Sequence, residues 1–387
     1  MTVKIVITGD NHLNYYSQRF GSKLAERRAQ IGRAWRETVD FAIKKKVDLY
    51  LNVGDLFDQI SPRNPPRGRV VEAFVDLKEA GIKSFVIAGT HESPSTLIDG
   101  ASPHVLLREA GLAKVFEDTQ SFGQEILKVD DVTVSIAGIS TDRRLRSNMD
   151  PLDGLTIPAG ADFNVAMLHY SIEKIAPPYW EEPMIKMSSL ERNKHIDLFA
   201  IGHIHQHITR SLGDSLILYT GATEHFDFGE AESDTGFCYV EVEGGKMKVD
   251  YIKTKSQPMT QLKLHTSKFT TENPTETILD AIVEASDPDG LFQLKLEGEL
   301  RFEDYLTIDF LRLFDEGKRR NFYYEYLDNI KPIAENIKSQ ASDGLHPRNE
   351  LISVANQAIK EAVSKEKRFW ERALELAISY YDRHSEA

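Results

Sequence analysis

Gly54-Asp55-Leu56-Phe57-Asp58 follows the apolar run Val47-Asp48-Leu49-Tyr50-Leu51-Asn52-Val53, and that junction decides the fold. The run reads as a buried strand. Gly54 ends it and lets the backbone turn, which sets Asp55 at a strand's carboxyl end, where ligand sites of open α/β sheets gather. One carboxylate has two oxygens and can bridge two metal ions ~3.5–4 Å apart. Upstream, residues 3–8 form a β-branched strand ending at Gly9-Asp10-Asn11-His12. Asp10 and His12, two apart in a locally extended stretch, can point the same way, a pairing that suits Zn²⁺, Mn²⁺ or Fe²⁺. Alone, D-x-H serves loop chemistry as readily. Ile31, Trp35, Val39, Ala42 and Ile43 recur at helical spacing between the two strands, so the segment reads as a βαβ unit.

Downstream, Asp58 reads as a helix-capping carboxylate. The segment SPRNPPRGR reads as a Pro-rich loop bearing Arg63, Arg67 and Arg69. These arginines either steer a nucleic-acid backbone or simply solvate the loop. A helix over residues 70–80 and a strand over 82–88 follow, and the strand ends at Gly89-Thr90-His91-Glu92. Three consecutive strands thus deliver ligand-type residues to one edge. A strand over 163–168 ends at His169, and one over 197–201 ends at Gly202-His203-Ile204-His205. Two histidines two apart, behind a glycine that permits close backbone approach, can serve two different metals. His207 continues the alternation but lies further along. Residues 235–242 and 246–252 form a hairpin about Gly244-Gly245. No strand ends in a glycine-rich phosphate loop, which argues against a nucleoside-triphosphate site of that type.

The bulk properties set the frame. A length of 387 residues with 41% apolar content predicts two or three domains with real cores. No run approaches the ~18 apolar residues of a membrane span, and MTVKIVITGD enters a strand without signal-peptide form. The single cysteine, Cys238, forms no internal disulfide and fits a reducing cytoplasm. The net charge is −13, and residues 311–387, with 13 basic and 13 acidic side chains, contribute none of it. Residues 1–310 therefore carry the whole excess, which bound divalent cations would partly offset.

Taken together, D-x-H, G-D, a G-[TN]-H-E block, a later histidine and G-H-x-H resemble the calcineurin-like metallophosphoesterase superfamily. Within it, DNHL, GDLFD and the stretch YTGATEHFDFGEAESDTGF after GHIH resemble the SbcD-type DNA repair nucleases, relatives of the eukaryotic meiotic-recombination nuclease. The likeness is good over residues 1–260 and holds only in layout beyond. It implies a two-sheet αββα sandwich (1–258), a smaller α/β capping domain (259–331), and a linker with C-terminal partner-binding helices (332–387). It implies one ion on Asp10, His12, Asp55 and His205. A second would sit on Asp55, His169, His203 and the residue at position 90. His91 would orient the phosphate or protonate the leaving oxygen, and Glu92 would hold its tautomer. The implied cofactor is a pair of Mn²⁺ ions, with Fe²⁺ or Zn²⁺ as alternatives. The implied activity is exo- and endonucleolytic cleavage of DNA in double-strand-break repair.

This chain departs from the pattern at Thr90, where the family has asparagine. A hydroxyl is a shorter and weaker donor than an amide carbonyl, so the second ion should be held less tightly. That departure keeps open a second reading, a catalytically weakened scaffold or DNA-tethering subunit. A small-nucleotide phosphoesterase is a third.

Beyond residue 260 the pattern changes to strand 261–265, helix 275–285, strand 291–296, helix 305–314 and strand 322–327. Residues 342–347 read as a linker. An apolar stripe from Leu351 to Tyr381, with Asn349 as its N-cap, reads as one long helix. In the resembling family such helices bind an SMC-like SbcC-type ATPase. The family also forms homodimers, for which residues 98–112 are the candidate surface.

Overall fold

The computed structural model describes residues 2–96, 100–177, 180–270, 273–333, 347–361, 367 and 370–378. Two six-stranded sheets form its body. The first runs in the order β14-β13-β1-β2-β3-β4: Lys246–Lys253, Gly236–Glu243, Thr2–Thr8, Leu49–Asn52, Lys83–Ile87 and Lys114–Phe116. Its β1, β2, β3 and β4 are parallel, and β13 and β14 add antiparallel. The second runs β11-β12-β10-β7-β6-β5: Ile208–Leu212, Ser215–Tyr219, Leu198–Gly202, Phe163–His169, Val132–Gly138 and Gly123–Val129. There β12, β10, β7 and β6 are parallel, with β11 and β5 as antiparallel edges. Ser171–Ile172 (β8) and Met184–Ile185 (β9) make a two-stranded ladder beside it.

The strands read as continuous apolar runs because both faces are covered. Ile5, Ile7, Leu49, Leu51, Phe85 and Ile87 face Val134, Ile136, Val165, Met167, Leu198 and Ala200 between the sheets. The alternate residues Val6, Tyr50 and Val86 pack outward on Ile31, Trp35, Val39, Phe74 and Leu77. Those side chains come from two helices, α1 (Leu24–Lys45) and α2 (Asn64–Glu79). The other outer face buries Ala166, Leu168, Phe199 and Ile201 against Ile172, Ile185 and Leu190, with the short helices α3 (Val105–Glu109) and α4 (Met187–Arg192) completing the layers. This is the αββα sandwich expected.

Several boundaries differ from the sequence reading. SPRNPPRGR is a loop only through Arg63: α2 begins at Asn64 and takes Pro65 and Pro66 in its first turn. Proline is tolerated there because those N–H groups would lack an intrahelical partner anyway. Asp58 caps no helix, since α2 starts six positions later. The helix expected over residues 305–314 is two pieces, α6 (Phe302–Tyr305) and α7 (Phe310–Arg320), the second capped by the Asp309 side chain on the Arg312 N–H. Helix α5 (Pro274–Ala285) and a three-stranded sheet, β15 (Met259–His265), β16 (Leu291–Arg301) and β17 (Tyr323–Ile333), complete the region after residue 258. The C-terminal helix α8 spans Pro347–Glu361, so Asn349 lies inside it rather than at its cap; residues 370–378 are also helical. Leu97 to Asp99, most of the expected linker, and Ala362, Val363, Phe369 and Tyr381 of the apolar stripe lie outside the described residues.

The chain divides into two compact units: Met1–Gly298 with Thr307–Ile330, and Glu299–Leu306 with Lys331–Ala387. Within the first, Phe20, Phe228, Met259, Leu291 and Phe322 form a small core that seats the three-stranded sheet. Among the described residues no helix is long and apolar enough to cross a membrane.

Candidate metal centre

Parallel register brings the ligand-type residues to the strand ends together. Thr8 pairs with Asn52, and His169 with Gly202, so the loops after β1, β2, β7 and β10 leave at matching heights and meet. They turn at once. Asp10, His12, Asn14, Asp55 and His203 have φ of 50°, 47°, 71°, 50° and 91°. Asp, Asn and His tolerate the left-handed region better than other side chains, yet each such residue costs ~1–3 kcal/mol and persists only where its surroundings over-determine it. Here they do. The Asp10 N–H donates to Gly54 O at 3.0 Å, and the Asn11 and His12 N–H groups both donate to Asp55 O at 2.8 and 2.9 Å. Beneath them the Asn52 amide donates to Asn11 Oδ1 at 2.8 Å, and the Asn11 amide to Thr8 Oγ1 at 2.9 Å. Gly89 is held to glycine by contact: a Cβ there would overlap the Asp55 carboxylate.

The donor atoms then crowd. Asp10, His12 and His205 offer ligand atoms all within 4.8 Å of one another, as do Asp10, Asp55 and His169. His12 Nε2 and His205 Nε2 face each other at 3.1 Å. His169 Nε2 lies 3.1 Å from Asp55 Oδ2 and 3.9 Å from Asp10 Oδ1, yet it is fully buried and lacks hydrogen-bond geometry to either. Two ligands ~2.1 Å from one ion and at right angles sit about 3 Å apart, which is the spacing seen. The opposite ring nitrogens are tethered. His169 Nδ1 donates to Val53 O at 2.8 Å, and His205 Nδ1 meets Glu230 Oε1 at 2.6 Å. Such tethers fix the tautomer and aim the remaining nitrogen. The residues therefore fit a divalent cation pair.

Electrostatics agree. Burial alone would raise the Asp55 carboxyl, but His169, followed by His12 and His91, more than reverses this and holds it far below the usual carboxylate range. Burial disfavours a charged His169, yet Asp55 and then Asp10 raise it to about 9. His205 likewise reaches about 9 against its burial, through Glu230. The pocket is built to attract positive charge.

His203 joins by its backbone, whose N–H donates to both Asp10 oxygens at 3.0 Å. Its ring stands edge-on to His169 with centroids 5.3 Å apart, and its Nε2 lies 2.9 Å from Glu182 Oε2. Thr90 sits in the wall of a 160 Å³ cavity shared with His203 and Glu182. His91 stands at the rim with 47% of its side chain exposed, its Nδ1 donating to Asp58 O at 3.0 Å. Among the described residues, Glu92 and the His91 imidazole have separate partners, and no bond joins the two as the resemblance implies. Glu92 is buried and accepts the Phe57 and Gly89 N–H groups at 2.6 and 3.2 Å, with His104 Nε2 2.9 Å away. It staples the Asp55 and His91 loops together instead of touching the imidazole. Arg63 and Arg69 line a cleft of about 500 Å³ between α1 and α2, together with Arg28 and Arg36; Arg67 is not in its wall.

Three residues escaped the sequence reading. Asp58 Oδ1 lies 3.2 Å from His12 Nδ1 and 3.7 Å from His91 Nδ1, so it braces both rings. Glu230 was legible in principle: Asp227-Phe228-Gly229-Glu230 closes a capping box, the D-x-x-E signature of a helix start. Glu182 lies in an irregular stretch with no such signal.

Residues 3–207, more than half of the chain, match the family described as calcineurin-like phosphoesterase. Among curated proteins, the chain is 24% identical over 339 residues to "DNA double-strand break repair protein Mre11" of Sulfolobus acidocaldarius, covering 85% of each. It is 27% identical over 256 residues to the protein of that name from Methanocaldococcus jannaschii, covering 63% of this chain and 64% of that one. A solved dimetal phosphatase from Danio rerio superposes with a TM-score of 0.42 at 10% identity, over 65% of this chain and 97% of that one. By the family match, which takes in Asp10, His12, Asp55, His169, His203 and His205, the chain belongs to the calcineurin-like phosphoesterase family.

Proposed function

We propose that this chain is a metal-dependent DNA nuclease, hydrolysing phosphodiesters in double-strand-break repair. The observation that carries the reading is the meeting of Asp10, His12, Asp55, His169 and His205 at the strand ends of two sheets. The names of the curated relatives support DNA as substrate, as does the cleft that Arg28, Arg63 and Arg69 line with Leu13 and Asn14. Asp10, His12, Asp55 and His205 would hold one cation, and Asp55, His169 and His203 the other. Mn²⁺ suits the mixed carboxylate and imidazole set best, with Fe²⁺ or Zn²⁺ next. Bound there, such a pair would supply charge neutralisation at the phosphate and activation of a water for attack.

The chain's own residues do the rest. Backbone N–H groups of His203 and His91 orient the Asp10 and Asp55 carboxylates. Glu230 and Asp58 steady the imidazoles of His205 and His12. His91, exposed and tied through its Nδ1–H, presents Nε2 to the substrate; in the imidazolium form it can pass the Nε2 proton to the leaving oxygen. The division into nuclease (1–258), capping (259–331) and tail (332–387) segments belongs to the same reading. So do a homodimer and an SbcC-type ATPase partner on the C-terminal helix, where Val354 and Leu376 are exposed.

Thr90 supports the second reading, a weakened scaffold. A Mn²⁺-dependent assay on single- and double-stranded DNA, with a small nucleotide diester alongside and His91→Ala as control, tests all three. DNA cleavage at least ~100-fold above the His91→Ala variant is the expected result. DNA binding without His91-dependent cleavage would establish the scaffold, and cleavage confined to the small diester would remove DNA as the substrate.

A further inference from the structure

Thr90 shares the wall of one cavity with a carboxylate, Glu182, and with His203. Glu182 reaches the cavity from the segment before β9. Its Oε2 is 2.9 Å from His203 Nε2, and the Ser171 hydroxyl donates to Oε1. With Thr90 and His203 it lines the 160 Å³ space. The spacing resembles that of the other donors: His12 Nε2 to His205 Nε2 is 3.1 Å, and His169 Nε2 to Asp55 Oδ2 is 3.1 Å. Each is about the separation of two neighbouring ligands on one ion. The remaining acid in that wall, Asp142, is already committed to the Arg144 side chain through both oxygens, at 2.7 and 2.8 Å. Ser171 fixes one Glu182 oxygen and leaves the other turned toward His203.

We propose that Glu182 is a ligand of the second cation and takes the place of the missing asparagine amide. The inference rests on the two-cation reading above. A carboxylate is a harder and more strongly attracting donor for Mn²⁺ than a neutral amide, so the weakening that Thr90 alone would cause is offset. The centre also gains a negative charge that an asparagine-bearing centre lacks.

The alternative role for Glu182 is to hold His203 in one orientation through Nε2 while Nδ1 takes the ion. Swapping the two positions separates the roles, because asparagine at position 90 can replace a ligand but cannot replace an orienting contact to His203. The experiment is Mn²⁺ titration of the full chain by calorimetry and electron paramagnetic resonance, with melting temperature monitored in chelator. Wild type should take two ions. Glu182→Ala should keep the first and bind the second ~10–100-fold more weakly. Glu182→Ala with Thr90→Asn should recover to within a few-fold of wild type. If Glu182→Ala binds both ions as wild type does, or if Thr90→Asn fails to restore the second, Glu182 is no ligand. A wild type that takes up no second ion at all overturns the two-cation reading itself, and this inference with it.

Discussion

Asp55 and His169 hold opposite views of pH, and their balance can be measured. His169 and His205 stand near 9 in the fold against 6.5 in an unfolded chain. Groups raised in this way stabilise the metal-free fold fully below 6.5, and that contribution is lost as pH climbs through 9. Asp55 is held low, so its share is present above 3.8 and fades only in stronger acid. In chelator, melting temperature should therefore fall steadily between about pH 6 and about pH 9.5. Saturating Mn²⁺ should flatten or invert that slope, because cations need the neutral imidazoles that high pH provides. A chelated protein whose melting point stayed level across this window would show that the imidazoles are not charge-paired. At this scale the sequence offers the side chains that the fold brings together, Asp10, His12, Asp55, His169 and His205, and gives little sign of the acids that contact the histidines. Asp10, His12, His203 and His205 follow strands in D-x-H and G-H-x-H, and Asp55 and His169 stand at strand ends. Asp58, Glu182 and Glu230 reach His12, His203 and His205 across 46, 21 and 25 positions, and no local spacing encodes that.

At the scale of elements, helix α1 is more than an outer layer. Arg27, buried on it, meets Glu224 at 3.1 Å and Gln257 Oε1 at 3.0 Å, and also donates to His225 O. Glu224 in turn accepts the Gln257 and His225 N–H groups. One buried ion pair thus ties α1 to the turn that leads to Phe226 and Glu230, and to the strand entry at residue 257. Burial depresses the Arg27 guanidinium, and Glu224 works against that fall. Removing one partner strands the other charge out of water. Arg27→Met should cost ~3–5 kcal/mol in urea unfolding, and adding Glu224→Gln should recover part of it. A single-variant loss below ~1 kcal/mol would mean the pair behaves as an exposed one. Sequence periodicity found α1 because Ile31, Trp35 and Val39 repeat on one face. It gave no hint of Arg27, which lies on that same face one turn before Ile31 but, being charged, reads as the solvated start of the helix. The start of α2 was missed for the converse reason: Asn64-Pro65-Pro66 carries strong turn chemistry, and only the packing of Val70, Phe74 and Leu77 on β2 and β3 decides for a helix.

For the whole molecule, the distribution of charge and of apolar surface separates binding from chemistry. The chain carries −13 overall, none of it in residues 311–387, so a polyanion is not drawn to the body at large. Attraction must come from the cations and from local clusters such as Arg28, Arg63 and Arg69. All proposed cation ligands and their props, from Asp10 to Glu230, lie in the unit built from Met1–Gly298 and Thr307–Ile330. Helix α8 and residues 370–378 belong to the other unit and expose Val354, Trp370 and Leu376, large apolar side chains of the kind that a helix-in-groove partner covers. Deleting residues 346–387 should therefore leave Mn²⁺ uptake and the metal-dependent rise in melting temperature unchanged, while binding to an SbcC-type ATPase, followed by co-elution, disappears. Retained ATPase binding in the shortened chain would move the partner surface to the first unit. Lost Mn²⁺ uptake would mean that the tail takes part in assembling the centre, which the placement of its ligands argues against.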